Sequence, residues 1–384
     1  MDNLFFTDEH IMIRDMVREF ADTEITPVAR DLDEQGEFPT ALVNKMGELG
    51  LMGILIPEEY GGSGLDMVAF ATAIIELARA DASVAITMAA HTSLGSLPIL
   101  MFGSEQQKNT YLPKLATGEM LGAFGLTEPD AGSDAGATKT KAVRDGDEYV
   151  VNGGKIFITN AGKAGVLSFT SQVIENGKNL GIAAFSISTN TPGLEIGPKE
   201  KKMGWRASDT RQLFFKDMRI QATSILGTPA NGFKTFLKTL TSGRVSIGAL
   251  SIGTALGAYE RALAYSTERI AFGKPINNFQ SVGFKLADMA TKIEASKLLV
   301  FHAAWMKDQG LDITKEAAMA KLFASETAME VTTEAIQIHG GYGYVKEYDV
   351  ERFFRDAKIL EIGEGTSEIQ RLIISREILK GIQI

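Results

Sequence analysis

A single carboxylate between two glycines stands close to the C-terminus, in Ile359-Leu-Glu-Ile-Gly-Glu-Gly-Thr-Ser-Glu-Ile-Gln370. Glu364 is flanked by Gly363 and Gly365, which have no side chain to keep a ligand away from the backbone. A carboxylate offered on such a turn suits a general base, provided burial holds its pKa near working pH. The residues that follow read as a helix start. Ser367 with Gln370 three positions on has the capping-box spacing, and Ile369, Leu372, Ile373 and Ile374 carry an apolar periodicity. The same letters also fit an exposed glutamate ahead of a helix, so the surroundings have to decide.

Two other segments are dense in residues able to hold a ligand. Phe124-Gly-Leu-Thr-Glu-Pro-Asp-Ala-Gly-Ser-Asp134 is a strand end running into a Pro/Gly turn. It presents backbone N–H groups, Thr127 and Ser133 to a planar polar ligand, and equally fits a plain Asx-type loop. Gln337-Ile-His-Gly-Gly-Tyr-Gly-Tyr344, followed by Glu347, Arg352, Arg355 and Asp356, puts three glycines after a helix. They serve as a stop signal or leave room for a bulky ligand or a neighbouring subunit. No G-x-G-x-x-G, Walker sequence, H-E-x-x-H or G-x-S-x-G is present, which argues against the usual dinucleotide, nucleotide, zinc and hydrolase sites. His10, His91, His302 and His339 are scattered and form no ligand set.

The elements that would position these segments change in texture along the chain. Residues 8–118 read as helices: Ile11, Ile13, Val17, Phe20 and Ala21 recur at helical spacing, Pro27 interrupts, and helices follow at Thr40–Leu49, Val68–Ala80, Ser83–Phe102 and Glu105–Leu115. Between 119 and 228 the runs become short and β-rich: Glu148–Asn152, Lys155–Thr159, Val166–Val173, Gly181–Ser188 and Gln212–Phe215. Asp145-Gly-Asp147, Asn152-Gly-Gly154 and Thr191-Pro-Gly193 punctuate them, which predicts an antiparallel barrel or sandwich. From 229 to 384 helical periodicity returns at Gly232–Glu268, Gln280–Gln309 and Ile313–His339. The expectation is an α+β chain, mostly α: an N-terminal helical domain (1–118), a middle antiparallel β domain (119–228) and a C-terminal four-helix bundle (229–384) that packs against other subunits.

The totals narrow the class. The chain has 384 residues, enough for two or three domains with a large core. Its net charge of −9 argues against a nucleic-acid or anionic-membrane binder. The absence of cysteine removes disulfides, thiolate nucleophiles, iron–sulfur clusters and Cys-ligated zinc. The N-terminus shows no basic and apolar secretion signal, and no apolar run is expected to reach the length of a membrane span. A cytoplasmic protein is expected.

Taken together, the three dense segments resemble the acyl-CoA dehydrogenase family of flavoenzymes, the short- and medium-chain branch that includes butyryl-CoA dehydrogenase. The matching residues are Gly125-Leu-Thr-Glu-Pro-Asp-Ala-Gly-Ser-Asp134 with Gly136, Gln337-x-x-Gly-Gly-x-Gly-Tyr344 with Glu347, Arg352 and Asp356, and Glu364-Gly-Thr-Ser-Glu-Ile-Gln370. Lys155-Ile-Phe-Ile-Thr159, Met203-Gly-x-Arg-Ala-Ser-Asp-Thr210, Glu268-Arg-x-x-Phe-Gly-Lys-Pro275 and Phe284-Lys-Leu-Ala-Asp-Met289 match as well. The resemblance spans essentially the whole chain, in family order, and implies the same three-part fold.

It also implies a reaction. FAD takes two electrons from an acyl-CoA thioester, leaving a trans-2-enoyl-CoA, and passes them to electron-transferring flavoprotein. Glu364 matches the base that removes the α-proton while hydride leaves the β-carbon. Some relatives carry that base just before the arginine of the first long C-terminal helix, where this chain has Gly243 followed by Arg244. The resemblance places Phe124, Leu126, Thr127 and Ser133 near the isoalloxazine and pyrophosphate, with Phe157 and Thr159 on the other side. It assigns Arg269, Phe272 and Gln280 to the phosphate–adenosine part, Gln337 and Gly341 to the same part from a neighbouring subunit, and Thr366 and Glu368 to the near end. Ser133, Arg244 and Gly365 are the expected CoA-side contacts, and a homotetramer built as a dimer of dimers is the expected assembly. Two departures stand out: Thr241 replaces the family's common Asp three residues before Arg244, and Gly363 replaces a frequent Tyr. The latter suggests a wide, branched or cyclic acyl group. An enoyl-CoA reductase running the chemistry backwards is the alternative on the same residues. A flavin-bearing nucleic-acid-binding relative is disfavoured by the charge and by the intact Glu364.

Overall fold

The computed structural model describes residues 2–228 and 232–380. Its first half begins with α1 (Asp8–Phe20), capped by the Thr7 hydroxyl, with the His10 imidazole reaching back to the Thr7 N–H. Ile13, Val17 and Phe20 recur along one face of α1 and are buried against the core, as their spacing requires. Helices α2 (Thr40–Glu48) and α3 (Met67–Ala80) follow, α3 capped by Asp66 and the helix after it by Asp81. Helix α4 runs Ala82–Phe102 with a π-turn at His91–Ser96. Contrary to the sequence expectation, it is long and apolar enough to cross a bilayer by length and composition, yet 83% of that window is buried inside the protein. It is therefore a core helix. Helix α5 (Glu105–Ala116) ends the region.

The middle of the chain forms β1 (Leu121–Gly125), β2 (Lys141–Asp145), β3 (Glu148–Thr159), β4 (Ala164–Glu175), β5 (Lys178–Ser188), β6 (Leu194–Lys199), β7 (Thr210–Gln221) and β8 (Ile225–Leu226). Their order in one sheet is β6-β7-β3-β2-β4-β5-β8, with β1 paired to β4. The sheet is mixed rather than purely antiparallel, because both β1 and β2 run parallel to β4. Glu148–Asn152 and Lys155–Thr159, expected as two strands, are one strand. Asn152-Gly-Gly154 is a bulge, marked by a register shift against β7 between Val151 and Gly153. Tyr149, Phe169, Phe185 and Phe215 fill a core private to this sheet.

After the β region come α6 (Gly232–Glu268), α7 (Gln280–Asp308), α8 (Thr314–His339), a helix unforeseen in the sequence, α9 (Val350–Ala357), and α10 (Ser367–Leu379). Helices α6, α7 and α8 pack on one another and α10 packs on α8, giving the four-helix bundle. The bundle shares one core with the N-terminal helices: Val17, Phe70 and Ile74 belong to the same cluster as Val245, Leu250 and Phe353. Each large side chain fully buried there stabilises the fold by about 1.5–3 kcal/mol. Buried charges on α9 tie it to the N-terminal helices, and a backbone donor of the middle region reaches the same helix. Arg355 forks to Asp33, Arg352 Nη1 lies 2.6 Å from Asp81 Oδ2, and Trp205 N donates to Asp356 Oδ1 at 2.6 Å. Burial, reinforced by Asp81 and against the pull of Arg352, pushes Asp356 up to about 7.

Candidate active site

Glu364 sits on the turn between Ile359 and α10 with φ +54°, a left-handed conformation that costs a side-chain-bearing residue about 1–2 kcal/mol. The next residue, Gly365, has φ +97°, and a β-carbon there would stand 2.8 Å from Gln370 Nε2, so glycine is required. Gly363 differs. Its φ is not positive, and a β-carbon would meet only the Ile359 carbonyl, at 3.4 Å. The helix cap is Thr366, whose hydroxyl accepts the Ile369 N–H, not the expected Ser367. Gln370 does not close a capping box. Its Nε2 donates to the carbonyls of Gly365 at 2.8 Å and Glu364 at 3.4 Å, tying the turn to the helix it precedes.

The Glu364 carboxylate points inward. Its Oε2 is buried and has no hydrogen-bond partner, and the orphaned Arg244 Nε shares that state close by. Burial pushes Glu364 up to about 7, with Lys321 and then Arg244 pulling the other way. A β-carbon built on Gly243 would overlap Glu364 Oε2. Positions 243 and 364, the two at which the resemblance expects a base, therefore adjoin in space, and Gly243 leaves room for the Glu364 carboxylate. Buried polar atoms are normally paired. Here Ser242 Oγ, Arg244 Nε, Glu364 Oε2, Ser367 Oγ and Gln370 Oε1 are left unsatisfied in one neighbourhood. Among the described residues, no acceptor takes the Glu364 N–H.

Facing this turn through α6 is the loop after β1. Phe236, two helical turns before Gly243 on α6, stacks on Phe124 at 4.1 Å between centroids and packs against Leu126. Seven residues put Phe236 and Gly243 on the same side of α6, about 10 Å apart. The Thr127 carbonyl accepts the Ile156 N–H at 2.9 Å, which joins the loop to a second bulge in β3, between Lys155 and Ile158. That bulge throws out Phe157, held at φ +60° and 64% exposed. The hydroxyls of Thr127, Ser133 and Thr159 make no protein hydrogen bond among the described residues. The loop itself is anchored by Lys155, which donates to Leu126 O, Glu128 Oε1, Thr138 Oγ1 and Thr170 Oγ1.

A cavity of about 560 Å³ lies elsewhere, lined by Tyr265, Arg269, Ile276, His339, Gly341 and Tyr342 among others. Arg269 lies over the Tyr342 ring at 5.4 Å. Gln280, at the start of α7, and Gln337 are exposed and do not line this cavity. Phe272 is 96% exposed. Gln337 is sixteen residues along α8 from Lys321, about 24 Å at the helical rise. Arg269 and Gly341 come together, and Glu364, Arg244 and Gly365 come together, but one protomer does not join the two groups.

Models of three domains match nearly the whole chain: "Acyl-CoA dehydrogenase, N-terminal domain" over residues 7–119, "middle domain" over 123–218 and "C-terminal domain" over 230–379. The chain belongs to the acyl-CoA dehydrogenase family. It is 53% identical over 380 residues to the "Probable acyl-CoA dehydrogenase YngJ" of Bacillus subtilis (strain 168), covering 98% of this chain and 100% of that one. The solved butyryl-CoA dehydrogenase from Megasphaera elsdenii superposes with TM-score 0.95 at 43% identity, covering 98% of this chain and 99% of the other. A chain in the structure described as "Electron transferring flavoprotein of Acidaminococcus fermentans: Towards a mechanism of flavin-based electron bifurcation" superposes with TM-score 0.96 at 45% identity, covering 98% and 99%.

As an acyl-CoA dehydrogenase the protein is an FAD-dependent oxidoreductase acting on the CH–CH bond of an acyl-CoA. The residues present fit that cofactor. Leu126 and the projecting Phe157 offer apolar surface to a planar ring, and the hydroxyls of Thr127, Ser133 and Thr159 are uncommitted among the described residues. One residue of this centre escaped the sequence reading. Lys321 on α8 keeps no exposure and donates to the Gly365 carbonyl at 2.8 Å. Its signal was a lysine ringed by Ala317, Ala318, Ala320 and Ala324, small residues that let a helix approach its neighbours.

Proposed function

We propose that Glu364 is the base that removes the α-proton of a short-chain, branched or cyclic acyl-CoA. The observation that carries this reading is a buried carboxylate oxygen without a protein partner, on a group held at about 7. An α-C–H beside a thioester needs its developing enolate-like charge stabilised on the carbonyl oxygen. The Glu364 N–H, with no protein acceptor, is suited to that oxygen, and one preorganised donor of this kind is worth about 3–4 kcal/mol. FAD supplies the acceptance of the β-hydride. Phe124, Leu126, Thr127, Ser133, Phe157 and Thr159 would seat its ring and near phosphates, with Thr366 and Glu368 closing the near end. Arg244 lies with Glu364 and, like Ser133 and Gly365, is assigned to the CoA side.

Arg269, Phe272, Gln280, Gln337 and Gly341 are assigned to the adenosine end of the cofactor. The distance of about 24 Å along α8 supports Gln337 and Gly341 serving the cofactor of a neighbouring protomer, hence at least a dimer, and a dimer of dimers is the proposed assembly. Electron-transferring flavoprotein is the proposed acceptor and the cytoplasm the proposed compartment. The net charge of −9 favours neither nucleic acid nor an anionic membrane as a partner.

The test is Glu364→Gln, purified with its flavin and mixed anaerobically with a panel of straight, branched and cyclic acyl-CoAs. The variant is expected to keep the flavin absorption bands and lose bleaching by about 10²–10⁴-fold. Bleaching at the native rate would refute the assignment. Because the base must be deprotonated and burial raises it, kcat/KM should climb as pH rises through about 7.

A further inference from the structure

Lysine is almost never fully buried without a paired charge, because removing its ammonium from water is costly. Lys321 keeps no exposure, and among the described residues its single hydrogen bond goes to the Gly365 carbonyl. That bond is not needed to satisfy the carbonyl, since Gln370 Nε2 already donates to it at the same 2.8 Å. Among the described residues, no carboxylate closes an ion pair on Lys321. The two surface glutamates nearest in charge are engaged elsewhere, Glu361 with Lys358 and Glu326 with Arg371, each at 2.6 Å. What remains opposite the ammonium is the unpartnered carboxylate of Glu364, one residue from the carbonyl it holds.

We propose that Lys321 is a positioning residue for proton abstraction: tied to the Gly365 carbonyl behind the turn, its fixed positive charge keeps the buried Glu364 carboxylate ionised and ready. This rests on Glu364 being the base. The groups facing Glu364 are Lys321 from α8 and Arg244 from α6. Those facing Lys321 are Glu364, Glu361, Arg244 and Glu326. Burial pulls Lys321 down to about 8, which leaves it mostly a cation at pH 7, where Glu364 is half ionised. Lys321 opposes burial at Glu364 more strongly than Arg244 does. Without it, burial acts on the carboxylate with only the arginine in opposition.

The test measures the rate of anaerobic flavin bleaching against pH for the holoenzyme and for Lys321→Met, Lys321→Gln and Lys321→Arg. Lys321→Met should move the rising midpoint up by about one unit. The rate at pH 7 then falls about fivefold and converges on the native rate near pH 9. Lys321→Gln, which keeps a donor without a charge, should shift equally, while Lys321→Arg should keep the native midpoint. Lys321→Gln carries the test alone should Lys321→Met fail to accumulate with bound flavin. An unmoved midpoint in the uncharged variants, a uniform loss at every pH, or a native profile for Lys321→Gln would overturn the proposal. Glu364→Gln measured alongside separates the two readings. If it still bleaches, the base assignment fails. If it is inert while the Lys321 variants titrate like the native enzyme, only the role of Lys321 falls.

Discussion

Lys155 on β3 and Lys321 on α8 both keep no exposure, and burial pulls both ammoniums down to about 8. Their surroundings differ in kind. Lys155 has four partners, among them the Glu128 carboxylate at 2.7 Å. Burial alone would raise Glu128, but Lys155 and the Thr138 hydroxyl hold it down to about 2. Glu128 in turn accepts from the backbone of Lys139 and Thr140, so nothing in that network is left over. Among the described residues Lys321 has one hydrogen-bond partner, and the buried Glu364 Oε2 has none. The first lysine is saturated and fixes a loop. The second is left unsaturated beside the group proposed as the base. Paired buried charges build a frame here, and the unpaired ones gather where the chemistry is proposed to happen.

The comparison breaks most visibly from the side of Lys155. Lys155→Met strands the Glu128 charge, which for a buried pair costs about 3–5 kcal/mol. Because Lys155 also holds Leu126 O, the variant should release FAD before it unfolds. Urea titration followed by flavin fluorescence reads both. Lys321→Met should cost less than about 1 kcal/mol, since it removes a lone ion and leaves the Gly365 carbonyl bonded to Gln370. Equal losses in the two variants would erase the distinction. Glu364→Gln sharpens it further. A folded carboxyl raised to about 7 binds more protons than an unfolded one between its ordinary value and 7, so its presence lowers stability as pH rises through that window. Removing it should raise the Tm at pH 8 and leave it unchanged at pH 4.

A smaller effect is expected from Gly243→Ala. The added methyl would overlap Glu364 Oε2 and also stand 3.3 Å from Leu94 Cδ2, so the carboxylate has to move. A displacement of about 1 Å in a reacting group costs on the order of 10²-fold. The expected outcome is a hundredfold loss of bleaching with the flavin still bound and the Tm within about 2 °C. A native rate would mean that Glu364 reacts from a different rotamer.

Glu364 stood out in the sequence as a carboxylate between two glycines, but its burial did not, since the same letters fit an exposed glutamate before a helix. Lys321 did not stand out. Its burial is decided by a turn forty-four residues later, and in Ala-Ala-Met-Ala-Lys321 it looks like one charge on a helix face. The long helices α6, α7 and α8 were legible from period alone. Of the short strands only the end of β1 was read, and the parallel pairing of β1 and β2 with β4 was not, because it is non-local. The cap was misplaced by one residue for a related reason. Thr366 and Ser367 are equivalent as caps in sequence, and the backbone, turning through left-handed Glu364 and Gly365, selects Thr366. The bulges at Gly153 and Phe157 were hidden because strand periodicity has no letter for an extra residue.

The smallest expected effect lies at Gly363. The two glycines around Glu364 look alike in sequence, yet only Gly365 is held by its backbone. At 363 a β-carbon enters open space but for the Ile359 carbonyl at 3.4 Å, an ordinary contact that the turn absorbs. Gly363→Ala should therefore leave the Tm unchanged or slightly raised, because alanine removes unfolded-state freedom worth about 0.4–1 kcal/mol. Any change in function then comes from volume beside the substrate. Straight-chain acyl-CoAs should bleach the flavin within about threefold of the native rate, and one methylene's worth of lost space costs a branched or cyclic chain about 1–3 kcal/mol. A ratio of branched to straight kcat/KM that falls at least fivefold would make Gly363 the wall of the acyl site. An unchanged ratio would place that wall elsewhere and leave Gly363 as a glycine that neither the backbone nor the substrate requires.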